Sequence, residues 1–251
     1  MDRLSSSLVV AFVAVSLGAY FTYKKRKNQM TRIDKIQKET ITPKFKEFYS
    51  AVEDLLGRVP NFYKTFSNSP LLAMAFLPIN ALAQREWEGT SISGKIKELI
   101  VIKTSHTNGC KYCYAHNTSL GKAAGITDGQ IKAISLNEFS ESPLFGKKEI
   151  LALKWAEAVT LNQAAKNNLL FEELQNNFTG KQIAEMTILC AMFNMINRIN
   201  DSLDVDLEDT GEIDKIQKSL ILDPTKMTDY LIWLSDFWQK EFSLTKTNKV
   251  N

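Results

Sequence analysis

The residues that are best suited to catalysing a reaction lie in one short stretch of the chain. Cys110 and Cys113 are three positions apart, and His116 follows three positions later. In a helix this spacing brings the side chains to neighbouring places on one face, so the sulfurs could form a local disulfide and the histidine could exchange a proton with Cys113. Cys110 would lie in the first turn of the helix, where the positive end of the helix dipole favours a thiolate. The spacing predicts a redox-active dithiol.

Glu98 is the candidate acid partner of this dithiol. Asn108 and Gly109 predict a tight turn between two antiparallel helices. Measured along these helices from Asn108, Glu98 lies about 15 Å back and His116 about 12 Å forward, so the two side chains could meet. The apolar residues around Glu98 predict a raised pKa or a firm partner for its carboxyl group. A cysteine, a histidine and a carboxyl group would together supply a nucleophile, a base and an orienting acid.

The same residues leave other interpretations open. His106, Cys110, Cys113 and His116 are four possible ligands of a structural zinc ion, although the surrounding helices offer a core large enough to fold without a metal. The cysteine pair could also serve a non-enzymatic redox sensor or a stress-linked binding module, which would oxidise once rather than turn over. The third cysteine, Cys190, lies in an apolar run and is expected to be a buried, inert thiol.

The elements that must position these residues are predicted to be helices. Apolar side chains recur at helical spacing in segments 44–58, 71–88, 93–105, 110–124, 147–160 and 227–240. Thr127 with Gln130 and Thr179 with Gln182 form capping boxes that begin two further helices, the second of which runs to about residue 203. No segment alternates with the period of a β-strand. The fold class is therefore predicted to be an all-α antiparallel bundle.

The N-terminal segment is predicted to anchor the protein in a membrane. Residues 4–23 carry no charge, a length close to that of a bilayer-spanning helix, and four basic residues follow at 24–27. Because the charge follows the apolar run, a retained single span over residues 1–27 fits better than a cleaved signal or an organellar presequence. The positive-inside rule then places the body in the cytoplasm, beyond a polar linker over residues 28–43.

The charge balance gives no reason to expect nucleic acid as a partner. The chain has 31 Lys and Arg against 28 Asp and Glu, and residues 1–30 hold five of the basic and one of the acidic side chains. The remainder has 26 basic against 27 acidic residues and therefore no cationic excess.

Several motifs together resemble the carboxymuconolactone decarboxylase-like superfamily, and within it the alkylhydroperoxidase-D-like branch. They are Gly57-Arg-Val-Pro-Asn61, Ser69-Pro-Leu-Leu72, Glu98 twelve positions before Cys110, Asn108-Gly-Cys-Lys-Tyr-Cys113, and Asn194-Met-Ile-Asn-Arg-Ile-Asn-Asp201 near the end of the long helix. The likeness covers about residues 44–208. Residues 209–251 are predicted to form a C-terminal helical extension.

The resemblance implies an all-helical protein that forms homo-oligomers and reduces a peroxide through the dithiol. We expect no cofactor and no metal. It implies that Cys113 attacks the peroxide, that Cys110 resolves the product and that Glu98 is the family glutamate, while an external dithiol reduces the disulfide. In alkylhydroperoxidase D the motif histidine stands four positions after the second cysteine, where this chain has Asn117, so His116 departs from the family spacing. The sequence thus predicts a membrane-tethered, cytoplasm-facing, peroxidase-like protein.

Overall fold

The computed structural model describes residues 31–242, which contain eleven α-helices. They are α1 (Lys46–Leu56), α2 (Asn61–Phe66), α3 (Pro70–Gln84), α4 (Gly94–Asn108), α5 (Lys111–Ala123), α6 (Asp128–Ser135), α7 (Lys147–Thr160), α8 (Asn168–Gln175), α9 (Gly180–Leu203), α10 (Thr210–Asp214) and α11 (Pro224–Phe242). Short 3-10 helices cover Pro43–Phe45, Ala164–Lys166 and Lys215–Ser219. No strand forms within residues 31–242, where an isolated β-bridge joins Glu86 to Ile221. The all-α prediction is confirmed.

Capping residues that the sequence marks begin several of these helices. Thr127 and Thr179 each form the predicted capping box, and the Ser93 hydroxyl accepts the backbone N–H of Ile96. Gly109 ends α4 with a left-handed φ of 74°, a conformation that glycine adopts without strain. The chain reverses at this glycine, so α4 and α5 form the predicted hairpin.

Helix α4 is the centre of the fold. It packs against α5, α7 and α9, and every residue from 97 to 105 is buried. The main apolar core includes Ile100 on α4 and Phe193 on α9, whereas a smaller cluster joins Leu99 to Leu153 on α7. Because α4 is enclosed on several sides, its polar side chains must find their partners inside the protein.

The segments on either side of the predicted family region also pack onto the bundle. Helix α11 buries Met227 and Tyr230, and the Tyr230 hydroxyl donates a hydrogen bond to the Met74 carbonyl at 2.7 Å. Ahead of α1, the backbone N–H of Ile36 donates to the carbonyl of Lys64 at 2.9 Å. The division into an anchor, a linker, a family domain and an extension stays a prediction.

The predicted membrane anchor is corrected here. Among residues 31–242, no helix has the length and apolar character needed to cross a bilayer. The longest of them, α9, has 24 residues but carries polar and charged side chains along its length, whereas a membrane span needs about 20 mostly apolar ones. The segment 1–27, on which the prediction rested, lies outside the described residues. The membrane tether, the membrane as a partner and the cytoplasm-facing location are therefore withdrawn.

Candidate active site

The α4–α5 hairpin holds both cysteines of the predicted dithiol. Cys110 is the N-cap of α5 and Cys113 lies in its first turn, and both thiols are free and buried. Cys113 lines a cavity of about 60 Å³, whereas Cys110 does not. A space of this size holds a few water molecules or a comparably small ligand. The Asn200 amide donates a hydrogen bond to the Cys113 sulfur at 3.3 Å. Cys113 is therefore the sulfur that a small molecule in the cavity would meet.

The environment of Cys113 opposes a resting thiolate. Burial raises the pKa of this thiol well above its usual range, and the neighbouring Cys110 raises it further. The hydrogen bond from Asn200 acts in the opposite direction without reversing the shift. The thiol is therefore neutral at rest, although a helix N-terminus by itself would favour the anion. A nucleophilic role requires a nearby group that takes the proton or stabilises the thiolate.

Glu98 is completely enclosed by the bundle, as its apolar neighbours predicted. Burial raises the pKa of its carboxyl group to about 8, although Arg85, Gln84 and Lys97 act to lower it. The Gln84 side-chain amide donates to Glu98 Oε1 at 3.1 Å and to Asn117 Oδ1 at 3.2 Å. Glu98 is thus mostly protonated at neutral pH. It does not line the cavity, whereas Gln84 does.

His116 belongs to a different network from Glu98, which corrects the predicted relay. Its Nδ1 lies 2.8 Å from the carbonyl oxygen of Tyr112, and its Nε2 lies 3.0 Å from Glu208 Oε2. Asn117 takes the place beside Gln84 and Glu98 instead. One residue turns a side chain by about 100° around a helix, so positions 116 and 117 face different neighbours. Because the histidine stands three rather than four positions after Cys113, its carboxylate partner is Glu208 and not Glu98.

Glu208 is a site residue that the sequence did not reveal. It lies between α9 and α10, and its Oε1 accepts hydrogen bonds from the backbone N–H of Asn61 and from the Tyr112 hydroxyl. Its contact with His116 is at ion-pair distance but is not aligned as a hydrogen bond. Burial acts to raise the pKa of this carboxyl group, but His116 and the Asn61 N–H outweigh it and lower the pKa to about 2. No local motif marks position 208, because Tyr112 and Asn61 lie 96 and 147 positions away.

Two buried guanidinium groups share the wall of the cavity with Cys113 and His116. Arg58 is 4% exposed and Arg85 is 1% exposed. Arg85 Nε donates to Ser219 Oγ at 3.2 Å, while the buried Arg85 Nη1 and Arg58 Nε have no hydrogen-bond partner among residues 31–242. Most of the remaining wall is apolar, and none of the described residues that line it carries a carboxylate. The cavity therefore combines a thiol with positive charge.

The geometry gives no support to the zinc alternative. In the part of the chain from 31 to 242, no three His, Cys, Asp or Glu side chains gather closely enough to hold a metal ion. His106 stands next to Tyr114, with 6.0 Å between their ring centroids, and does not line the cavity. Cys190 is buried against Thr104, and burial raises the pKa of its thiol, as expected of an inert core cysteine.

Sequence comparisons connect the chain to one family. A model of the carboxymuconolactone decarboxylase family matches residues 76–158, which include Glu98, both cysteines of the dithiol and His116. Two uncharacterised proteins are each 27% identical: YnjA of Escherichia coli (strain K12) over 110 residues and YdfG of Bacillus subtilis (strain 168) over 112 residues. Each match covers 44% of this chain, and it spans 59% of YnjA and 75% of YdfG.

Solved structures share the fold. The alkylhydroperoxidase AhpD core of a peroxidase-related protein from Ralstonia eutropha JMP134 has a TM-score of 0.63 at 19% identity, covering 77% of this chain and 98% of that one. The debrominase Bmp8 has a TM-score of 0.60 at 24% identity, covering 72% of this chain and 96% of that one. At these identities the likeness establishes the fold alone. Residues 76–158 thus match the carboxymuconolactone decarboxylase family model, and the chain has an alkylhydroperoxidase-D-like fold.

Proposed function

We propose that the protein is a thiol oxidoreductase that reduces a small peroxide through Cys113 and Cys110. The observation that carries the proposal is the position of Cys113, a thiol that lines a small cavity beside His116 and has a second cysteine one turn away. A purely structural thiol needs neither the cavity nor the second sulfur. The likeness of the motif to the alkylhydroperoxidase-D-like branch supports the same pair.

Cys113 is the attacking sulfur in this proposal, and Cys110 is the resolving one. The Cys113 thiolate attacks one oxygen of the peroxide, the O–O bond breaks, and the sulfur becomes a sulfenic acid. The other oxygen leaves as an alcohol or as water, with the proton that the thiol gave up. The Cys110 thiol then attacks the sulfenic sulfur, water leaves, and a disulfide forms. An external dithiol restores both thiols by exchange and is itself oxidised to a disulfide.

In our proposal, His116 and Glu208 handle the proton of Cys113. A carbonyl oxygen only accepts, so His116 Nδ1 donates its proton to Tyr112, and Nε2 is the nitrogen that can exchange a proton. The carboxylate of Glu208, 3.0 Å from Nε2, stabilises the imidazolium that forms when His116 takes the proton. In our proposal this cation favours the thiolate and later returns the proton to the leaving oxygen. Glu208 is then a positioning residue, because it acts through His116.

Glu98 has a positioning role in this proposal rather than that of a direct base. It is mostly protonated at neutral pH and does not line the cavity. Through Gln84 it is connected to Asn117, whose amide also donates to Ser105 Oγ at 3.1 Å. This buried polar network joins α3, α4 and α5 beside the helix that carries Cys113 and so fixes the position of the hairpin.

Peroxide consumption by the full chain, with an excess of a dithiol reductant, tests the proposal. Cys113→Ser removes the nucleophile and should lower the rate by more than about a hundredfold. Cys110→Ser keeps the nucleophile but lacks the resolving thiol, so in the absence of reductant one peroxide per chain should be reduced and the sulfenic acid should be trapped by dimedone. Cys190→Ala is the matched control, because its thiol lies in the core away from the cavity, and it should turn over like the parent.

Two outcomes would contradict the proposal. Unchanged rates in both Cys113→Ser and Cys110→Ser would show that the dithiol takes no part in peroxide reduction. A parent chain that consumes a single equivalent of peroxide despite excess reductant would instead identify a redox sensor or binding module that uses the same pair.

A further inference from the structure

The cavity beside Cys113 carries two cations that dithiol chemistry does not require. Arg58 and Arg85 both line it, are almost completely buried, and form no ion pair within residues 31–242. Burial lowers the pKa of Arg85 to about 10, which leaves its guanidinium charged at neutral pH. A buried charge is costly unless it is paired or well hydrogen-bonded. Two such charges in one wall therefore indicate a surface built to hold an anion.

The hydrogen-bonding capacity of these two side chains is also incompletely used. Arg85 donates to Ser219 through Nε, but within residues 31–242 its buried Nη1 has no acceptor, and neither has the buried Nε of Arg58. Buried N–H groups in folded proteins almost always find an acceptor. Guanidinium groups offer their N–H donors in a rigid, planar fork that matches the two oxygens of a carboxylate. The free donors thus favour a planar anion in the cavity.

Nearby carboxylates do not satisfy the two arginines. Glu208 acts on Arg58 only at longer range, since its oxygens are held by Asn61, Tyr112 and His116. Glu212 also acts on Arg58, but its carboxylate is paired with Lys215. Glu98, the carboxyl group that acts on Arg85, is mostly protonated at neutral pH. In the part of the chain that the structure describes, the positive charge of the wall therefore has no counter-charge in direct contact with it.

We propose that Arg58 and Arg85 form an anion subsite that binds a carboxylate of the substrate, so that the enzyme prefers short hydroperoxides that carry a carboxylate group. This inference rests on the proposed peroxide reduction and names its substrate class. The apolar part of the wall suits a short hydrocarbon chain between the two functional groups; it comprises Leu56, Phe62, Phe193, Ile196 and Ile216. A molecule held by its carboxylate would keep its hydroperoxide in the same space as Cys113.

The subsite is tested by comparing two substrates of the full chain by their kcat/KM. One is a tertiary alkyl hydroperoxide with a terminal carboxylate, and the other is its primary amide. The two molecules have nearly the same shape and differ in charge. We expect the parent to prefer the acid by about tenfold or more, as one charged hydrogen bond contributes. Arg58→Gln should bring this ratio close to one, and Arg58→Lys should retain part of it. Arg198→Gln, which removes an exposed guanidinium on α9, should keep the ratio of the parent.

Calorimetric titration with butyrate and with butyramide gives a second readout that needs no turnover. The parent should bind butyrate but not butyramide, and Arg85→Gln should weaken butyrate binding by about tenfold or more. Equal rates for acid and amide, together with no butyrate binding, would overturn the subsite and leave peroxide reduction intact. Butyrate binding without any dithiol-dependent peroxide turnover would retain the anion subsite but overturn the proposed function. A variant that unfolds does not weaken the test, because the acid and amide comparison in the parent decides it.

Discussion

His116 and Asn117 occupy adjacent positions on α5 but belong to separate networks. His116 contacts Glu208, whose carboxylate is ionised, while Asn117 contacts Gln84 and through it the protonated Glu98. A site with one ionised and one protonated carboxyl group has the two forms that proton transfer needs, although only the ionised one touches the histidine. The pair of cysteines, Glu98 and His116 could be selected from the sequence, because each stands out by residue type and local spacing. Their mutual contacts could not, because these depend on the rotation of α5 against its neighbours.

Glu98→Gln should remove a pH dependence of stability. In the folded chain the pKa of Glu98 is raised from 4.5 to about 8, so between these values the unfolded chain has lost a proton that the folded chain keeps. The stability associated with this group is complete below pH 4.5 and is lost as the pH rises through 8. Glutamine keeps the shape of the side chain but does not titrate, so this loss of stability with rising pH should be absent from the variant.

Urea unfolding of the full chain at several values between about pH 5 and pH 8 measures this effect. Glu172→Gln, on an exposed position of α8, is the matched control and should show the same decline as the parent. The same decline in Glu98→Gln would contradict the assignment, since another group would then carry the titration.

At the scale of secondary structure, a glycine lies at the contact between α4 and α5. A Cβ atom at Gly121 would lie 2.9 Å from Ile102 Cδ1, 3.1 Å from Ile126 Cδ1 and 3.6 Å from Glu98 Cβ. The missing side chain at position 121 therefore allows α5 to lie against α4 at the level of Glu98. The packing of this hairpin and the position of the buried carboxyl group depend on the same small residue.

Gly121→Ala should destabilise the fold by about 1 to 2 kcal/mol, because a buried isoleucine must move to make room for the added methyl group. Urea unfolding at constant pH measures the free energy of unfolding. Gly180→Ala is the matched control: it lies at the start of α9, where an added Cβ would meet no atom within 4 Å. It should be neutral or slightly stabilising, as alanine favours helix over glycine. Equal stability of the two variants would show that the hairpin tolerates a wider separation.

Some helix boundaries could be predicted from neighbouring residues in the sequence, and others could not. The segment 71–88 was predicted as one helix, but α3 ends at Gln84 and the chain becomes extended at Arg85. The cause is tertiary, because the backbone N–H of Glu86 donates to the carbonyl of Leu220 at 3.0 Å instead of continuing the helix. A partner more than a hundred positions away leaves no periodic pattern in the segment itself. The capping boxes and Gly109, by contrast, involve neighbours within one turn and were predicted correctly.

At the scale of the whole molecule, the segment between α9 and α10 connects distant parts of the chain to the site. Asp206 accepts two hydrogen bonds from the ammonium group of Lys35, at 2.7 and 2.8 Å, and its backbone carbonyl accepts one from the Asn61 side chain at 3.0 Å. Two positions later, Glu208 joins Asn61 to Tyr112. The charge of these carboxylates therefore holds the N-terminal part of the bundle against α5.

Acid should weaken this connection. The pKa of Glu208 is lowered from 4.5 to about 2, so its contribution to stability is complete above pH 4.5 and is lost as the pH falls towards 2. Glu208→Gln should therefore be less stable than the parent near neutral pH, and this difference in stability should become smaller in acid. Thermal unfolding at about pH 6 and about pH 3 measures the difference in Tm between the variant and the parent. Glu173→Gln, exposed on α8, is the control. A difference that stays constant with pH would contradict the role of the ionised carboxylate.

The sequence by itself determined the helical class, the α4–α5 hairpin, the dithiol and the burial of Glu98. Each of these depends on residue type and on spacing within a few turns, which the order of the residues contains directly. The tertiary structure decided that His116 pairs with Glu208, that Asn117 contacts Gln84 beside Glu98, and that Arg58 and Arg85 line the cavity beside Cys113. These contacts join residues far apart in the chain, and they depend on how whole helices rotate and pack. Short patterns in the sequence therefore do not predict that arrangement.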